Sequence, residues 1–256
     1  MVRLKVEVSR DLKALAFNEL LALTELANGS LDLIDDSDDL VVDYRGDIDA
    51  LLRRICRAAL IKSIRVIRGI NEEEAVRLDR SRYRSLKRGR ESGSVSIDLR
   101  IARLLVNLAR TEENSVFLDP FVGTGIIANE AAMIGARVIG VDINYSALRI
   151  ARSAYTDVVN ADVRLISIRD NAVDSIATDP PYNRLSISDA DLDALYRVFA
   201  YEAFRVLRHG GYIAFSHPTY VNALDWFLNL GFELVGNGLQ YVHGGLTRLI
   251  YVFRKP

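Results

Sequence analysis

The chain has 256 residues, half of them hydrophobic and 26% charged. That balance excludes wholesale disorder, collagen-like repeats and a coiled-coil rod, and the length suits one large or two unequal domains at roughly 150 residues per domain. The 33 Lys and Arg nearly cancel 34 Asp and Glu, so the global charge does not advertise a nucleic-acid partner. Cys56 is the only cysteine, which excludes an internal disulfide and a Cys-rich zinc site and points to a reducing compartment. His209, His217 and His243 are too scattered to suggest a metal, so none is expected. The start, Met1 to Val8, carries charges where a signal peptide has its apolar core, and no charge-free stretch approaches the ~20 residues of a membrane span. The expected location is cytoplasmic, with no membrane partner.

Val2, Leu4, Val6 and Val8 alternate with Arg3, Lys5 and Glu7, the period of a half-buried strand. From Asp11, a plausible N-cap, Leu12, Leu15, Leu20, Leu23 and Leu26 recur near helical spacing until Asn28-Gly29. Two short apolar runs, Leu31 to Ile34 and Leu40 to Val42, flank an Asp-rich turn at 35–39. A second helix is expected from Asp47 to Leu60, with Cys56 buried on its apolar face, and Lys62 to Ile70 returns to alternation. The order β-α-β-β-α-β predicts a small α+β ferredoxin-like domain over residues 1–70, a fold that names no function by itself.

Residues 71–93 begin Asn71-Glu72-Glu73-Glu74 and continue with Arg77, Arg80, Arg82, Arg84, Lys87, Arg88 and Arg90. They read as an Arg-rich connector, with the acidic residues 32–49 as an opposed patch. Arg82, Arg84, Arg88 and Arg90 are the candidate RNA-binding residues, since Arg pairs with phosphate and stacks on bases.

Residues 94–256 form the third segment. After a helix carrying Ile97, Ile101, Leu104, Leu105 and Leu108, candidate strands at Val116–Asp119, Arg137–Asp142, Asp157–Ala161, Val173–Thr178 and Tyr212–Ser216 alternate with helix patterns at 125–135, 145–154, 190–207 and 219–229. Repeated βα units imply a parallel sheet covered on both faces. Phe232–Val242 and Arg248–Arg254 close it as a C-terminal antiparallel hairpin. Leu207 to Tyr212 reads as a helix-to-strand turn, and Ser94 and Ser96 as caps of the first helix.

In such sheets ligands sit at the C-terminal strand ends. The first strand runs into Asp119-Pro120-Phe121-Val122-Gly123-Thr124-Gly125, where two glycines let the backbone turn sharply and a ligand approach main-chain N–H groups. Gly123, Gly125 and Ala128 fit a G-x-G-x-x-A fingerprint, and Asp142 ends the next strand, where a ribose hydroxyl would bind. This pattern suits nicotinamide and S-adenosylmethionine binding alike. Thr178-Asp179-Pro180-Pro181-Tyr182 divides them. Paired prolines remove two N–H donors, leaving an acceptor-rich mouth in which Asp179 and the Pro180 carbonyl accept from an exocyclic base amine as charge develops on nitrogen. Tyr182 offers an aromatic face to an extruded base.

Asp-Pro-Phe-x-Gly-Thr-Gly, Asp-Pro-Pro-Tyr, the upstream Ala102-Arg103-Leu104-Leu105-Val106-Asn107-Leu108-Ala109-Arg110 and the terminal Val242-His243-Gly244-Gly245-Leu246-Thr247-Arg248 together resemble the archaeal and eukaryotic tRNA guanosine-10 N2-methyltransferases and their close relatives. The order of the motifs excludes the permuted DNA amino-methyltransferases that share D-P-P-Y. The resemblance implies a Rossmann-like methyltransferase, a doubly wound α/β sheet, with S-adenosyl-L-methionine as cofactor and RNA, a tRNA, as partner. Asp119, Phe121, Gly123 and Gly125 would enclose the methionine part of the cofactor, Asp142 its ribose hydroxyls and Asp162 its adenine amine; Asp179, Pro180 and Tyr182 are the implied catalytic set.

Three departures stand out. Relatives usually have Cys at Val122 and Gly at Asn183, and they carry an RNA-binding THUMP domain between the ferredoxin-like start and the catalytic domain, for which residues 71–93 are too few. The expected function is methylation of guanine N2. Asn183 keeps N6-adenine or N4-cytosine methylation open as the alternative, and the missing domain keeps open an inactive RNA-binding module, or a partner subunit that activates the enzyme or targets it to RNA.

Overall fold

The alternation at the start of the chain forms β1 (Val2–Val8), which buries Leu4, Val6 and Val8. In the computed structural model, which describes residues 1–85, 97–152, 156–182, 189–243 and 246–256, β1 is the middle strand of a five-stranded sheet. The elements that follow are α1 (Lys13–Leu26), β2 (Ser30–Asp35), β3 (Leu40–Arg45), α2 (Ile48–Ile55), β4 (Ile61–Arg68), β5 (Asn71–Arg77), α3 (Ser81–Ser85) and α4 (Leu99–Leu108). The order β2-β3-β1-β4-β5 has antiparallel neighbours throughout. Its first four strands have the split βαβ topology expected from the element order.

Two features differ from the sequence reading. Residues 71–77, expected as connector, are the edge strand β5. Almost every side chain of β5 is exposed, so it lacks the apolar alternation by which a strand is read. Backbone pairing with β4 holds it, helped by ion pairs to Glu72 from Lys5 on β1 at 3.1 Å and from Arg65 on β4 at 3.4 Å. Second, α2 ends at Ile55, not Leu60. The Glu19 carboxylate, buried on α1, accepts from the Ala59 and Leu60 N–H groups at 2.7 and 2.8 Å and from Asn107 Nδ2 at 2.7 Å. Those amides leave the helix to meet it. Cys56 becomes the exposed C-cap residue instead of a buried thiol.

The chain divides into two units, Met1–Asn107 and Leu108–Pro256, a division later than the expected one at residue 93. In the second unit, β6 (Val116–Asp119), α5 (Ile126–Ala132), β7 (Arg137–Asp142), α6 (Tyr145–Ala151), β8 (Thr156–Asn160), β9 (Val173–Thr178), α7 (Asp189–Val206), β10 (Leu207–Pro218), α8 (Ala223–Asn229), β11 (Glu233–His243) and β12 (Leu246–Arg254) follow in turn. They build a seven-stranded sheet of order β11-β12-β10-β9-β6-β7-β8. Strands β8, β7, β6, β9 and β10 run parallel, and β12 is antiparallel to both its neighbours. One core face gathers Phe199, Phe215, Phe227 and Phe253, with Phe227 stacked 4.8 Å from both Phe215 and Phe253. The expected turn at 207–212 is instead the start of β10: Leu207 pairs with Val173, and the ladder resumes at Tyr212 after Gly210, which has φ +75°. No helix among the described residues is long and apolar enough to cross a membrane.

Candidate active site

Strand order reverses between β6 and β9, so the loops after these strands diverge and leave a crevice at their C-terminal ends. On the β6 side, Gly123 and Gly125 both have left-handed backbone, φ +51° and +86°. Gly125 caps α5 and packs so closely that a Cβ there would lie 3.1 Å from the Ala151 Cα. At Gly123 a Cβ would meet nothing within 4 Å, while its N–H donates to Asp142 Oδ2 at 2.8 Å. Asn144 N–H donates to Asp142 Oδ1 at 2.8 Å, and the Asn144 side chain caps α6. Both oxygens of Asp142 are thereby fixed, each with a lone pair to spare.

Asp119 is buried beneath this loop. Thr178 Oγ1 donates to its Oδ1 at 2.6 Å and Phe121 N–H donates to the same oxygen at 3.2 Å. Burial pushes its carboxyl up to about 7; the two donors oppose that rise, and nearby Asp142 and Asp179 add to it. Phe121, Gly123, Asp142, Asp162 and Asp179 line one cavity of about 900 Å³. Asp162 is gripped by its neighbour: Arg164 donates from its backbone N–H and Nε at 2.9 Å to Oδ1, and from Nη2 at 2.5 Å to Oδ2. The Arg164 guanidinium holds the Asp162 carboxyl below the usual range.

On the β9 side, Asp179 projects from the strand end into a largely enclosed polar cluster. Ser216 on β10 donates a short hydrogen bond to Asp179 Oδ1, and the Tyr182 hydroxyl lies 2.9 Å from Ser216 Oγ. With the serine proton on Asp179, Tyr182 is the donor to Ser216, so the three form a relay. Tyr220 donates a short bond to the Tyr182 carbonyl, and the Tyr196 hydroxyl reaches the Pro181 carbonyl at 3.5 Å. Pro180, between Asp179 and Pro181, is buried. Arg248 on β12 places Nη2 3.7 Å from Asp179 Oδ2 and its guanidinium carbon 5.1 Å from the centre of the Tyr182 ring. Burial pushes the Asp179 carboxyl up to about 6, against the pull of Arg248 and Ser216.

The structure thus brings Asp179 together with Phe121, Gly123, Asp142 and Asp162, keeps Asp119 beneath them and uses Gly125 to shape the loop. Sequence reading had passed over Ser216, Tyr196, Tyr220 and Arg248 as site residues. Only Arg248 had a signal, as the last residue of a motif quoted for its resemblance. Of the candidate RNA-binding residues, Arg82 is half-buried on α3; the Arg84 side chain, Arg88 and Arg90 lie outside the described residues, as do Asn183, Ser94, Ser96, Gly244 and Gly245. Arg80 of the same basic run is anchored, donating to Ser9 Oγ at 2.8 Å and the Ala59 carbonyl at 2.6 Å.

Residues 88–249 match the UPF0020 family, the RMKL-like methyltransferase domain. The tRNA (guanine(10)-N2)-dimethyltransferase of Methanothermobacter thermautotrophicus is 34% identical over 168 residues, which make up 62% of this chain and 49% of the relative. A protein of Methanothermococcus thermolithotrophicus named "Probable tRNA (guanine(10)-N2)-dimethyltransferase" is 32% identical over 170 residues, 61% of this chain and 98% of the relative. The matched region spans about half the length of the first of these relatives. Among solved structures, TrmN from Thermus thermophilus superposes with a TM-score of 0.61 at 18% identity, covering 100% of both chains, which shows a shared fold. By the extent of the family match over its own glycine loop and Asp-Pro-Pro-Tyr segment, the chain belongs to the RMKL-like methyltransferase domain family.

Proposed function

We propose that this chain uses S-adenosyl-L-methionine to methylate the exocyclic N2 amine of a guanine in tRNA. The observation that carries the reading is that Asp179, just after β9, shares one cavity with Gly123 in the loop after β6 and Asp142 at the end of β7. A methyl-donor pocket and an amine-acceptor pocket must open on each other for direct transfer.

The residues fit the cofactor. A cavity of about 900 Å³ lies within the range of small-molecule sites, and the open Gly123 lets a ligand reach the main chain where a Cβ would intrude. The lone pairs left on Asp142 suit two ribose hydroxyls. Asp162 retains acceptor capacity on Oδ2, where Arg164 takes one lone pair, enough for one adenine N–H. When bound, the cofactor supplies an electrophilic methyl group on a sulfonium.

Every other step falls to the protein. Asp179 and the Pro180 carbonyl accept the N–H bonds of the target amine and so direct its lone pair out of the base plane. An ionised carboxylate only accepts, which matches guanine, whose N1–H and N2 amine present adjacent donors; adenine and cytosine place a ring acceptor beside the amine. As nitrogen gains the methyl carbon it gains positive charge, and Asp179, with its carboxyl near 6, is basic enough to take the surplus proton and acidic enough to stand ready as an anion. Tyr182 stacks under the extruded base. The names of the relatives supply tRNA as the substrate class, and Arg82, Arg84, Arg88 and Arg90 supply phosphate contacts. Asp179→Ala tests the assignment: transfer should fall below detection while S-adenosylmethionine affinity stays within about twofold, because the carboxylate acts on charge that develops in the transition state. Retention of most of the wild-type rate would refute it.

A further inference from the structure

Arg248 is a costly residue where it sits. Its side chain is only 4% exposed, and among the described residues its buried Nε has no hydrogen-bond partner. Removing a guanidinium from water is unfavourable unless neighbouring charge or dipoles compensate. The two groups it faces are both in the catalytic set: the Asp179 carboxylate and the Tyr182 ring.

The spacing matters. At 3.7 Å from Asp179 Oδ2, Nη2 lies beyond hydrogen-bond distance. The guanidinium therefore stabilises negative charge on the carboxylate without consuming a lone pair. Ser216 takes one on Oδ1, and among the described residues no hydrogen bond occupies Oδ2, which leaves it to a substrate amine. The same guanidinium lies within the ~6 Å reach of a cation–π contact with Tyr182, which braces one face of the ring and leaves the other for a base.

We propose that Arg248 is a positioning residue: it holds the Asp179 carboxylate as an oriented anion and the Tyr182 ring as a fixed platform, while leaving the substrate-facing acceptor of Asp179 unoccupied. The neighbours of Asp179 support this. Ser216 on β10 and Tyr182 are neutral partners, and Tyr196 on α7 is pushed well above the usual phenol range by burial and by Asp179 itself. Asp119 at the end of β6 adds like charge once ionised. His217, next along β10, is held neutral by burial, its ring pushed down to about 4. Among the described residues, Arg248 is the cation that opposes the burial of Asp179.

The test combines titration with kinetics. Carbon-13 carboxyl NMR of aspartate-labelled protein gives the Asp179 midpoint directly, its signal assigned by its loss in Asp179→Asn. In Arg248→Met the midpoint should move up by about 1 pH unit or more, the effect of removing a neighbouring Arg; Arg248→Lys should restore most of it. The acid limb of the kcat/KM profile should move alkaline by the same amount, with the deficit shrinking toward pH 9. Arg248→Gln serves as the uncharged variant if the methionine variant does not fold. An unmoved Asp179 midpoint in a folded uncharged variant would overturn the proposal, as would a kcat/KM loss equal at every pH. The kinetic arm rests on the reading of the substrate, whereas the titration does not: a shifted midpoint with no methylated guanine indicts the substrate and leaves Arg248 in its role.

Discussion

The hydroxyl of Thr178 donates to Asp119 Oδ1 at 2.6 Å, tying the residue before the Asp-Pro-Pro-Tyr segment to the carboxylate that ends β6. The two halves of the crevice are therefore joined by a side chain on each side of the point where strand order reverses. A shift of one loop is felt by the other.

Asp119 should make cofactor binding pH-dependent. In the folded chain its carboxyl is pushed up to about 7 by burial, and the resemblance places the charged methionine part of the cofactor beside it. Affinity for S-adenosylmethionine should rise from about pH 5.5 to about pH 7, by at most about tenfold per unit, and Asp119→Asn should flatten the dependence. Thr178→Val should cost ~1.5–3 kcal/mol of folding stability, the loss of a buried hydrogen bond to a charged group. Stability has its own sign. Because Asp119 holds its proton more tightly folded than unfolded, that contribution is complete below the unfolded value near 4 and is lost as pH rises through about 7. Relative to wild type, Asp119→Asn should therefore gain stability as pH rises from about 4 to about 7 in urea titrations. Calorimetry that shows flat wild-type affinity across this range would contradict the account of Asp119.

Gly123 and Gly125 should fail in different ways. Both need left-handed backbone, which costs an alanine ~1–2 kcal/mol. Gly125→Ala adds a clash with Ala151 at 3.1 Å, so it should lower stability by a further ~1–3 kcal/mol. Gly123→Ala has open space in the free protein and should mainly weaken the cofactor. Thermal unfolding and calorimetry on the two variants separate these losses, and a Gly123→Ala protein that binds S-adenosylmethionine like wild type would count against the loop's role.

The basic segment is tested by salt. Replacing Arg82, Arg84, Arg88 and Arg90 with Ala should weaken RNA binding across sequences. It should also flatten the slope of log K against log salt by about 0.7 for each lost single-strand phosphate contact. Cofactor affinity should not move. An unchanged slope with the fold intact would remove these residues from the RNA contact.

Much of the catalytic unit is legible in the sequence because its strands are short apolar runs ended by polar signals. The expected bounds of β6, β7 and β9 are those of the structure, and side chains at or just after their ends, Asp142 and Asp179 among them, line the cavity. What escaped has a common cause. β5 is held by backbone pairing and ion pairs, which leave no hydrophobic period. The end of α2 is decided by Glu19, on another helix. Arg248 meets Asp179 because β12 lies beside β10, which lies beside β9, and a pairing of that kind is written in sheet order instead of local pattern. Asp162 lines the same cavity, but the grip of Arg164 on it depends on a tight turn two residues long.

The acceptor-rich mouth around Asp179 is proposed to methylate guanine N2. Purified protein incubated with unmodified tRNA transcripts and S-adenosylmethionine, followed by digestion to nucleosides and mass spectrometry, tests it directly. The account predicts N2-methylguanosine or N2,N2-dimethylguanosine that disappears with Asp179→Ala; N6-methyladenosine or N4-methylcytidine in its place, or no methylated nucleoside from protein that binds the cofactor, would contradict it.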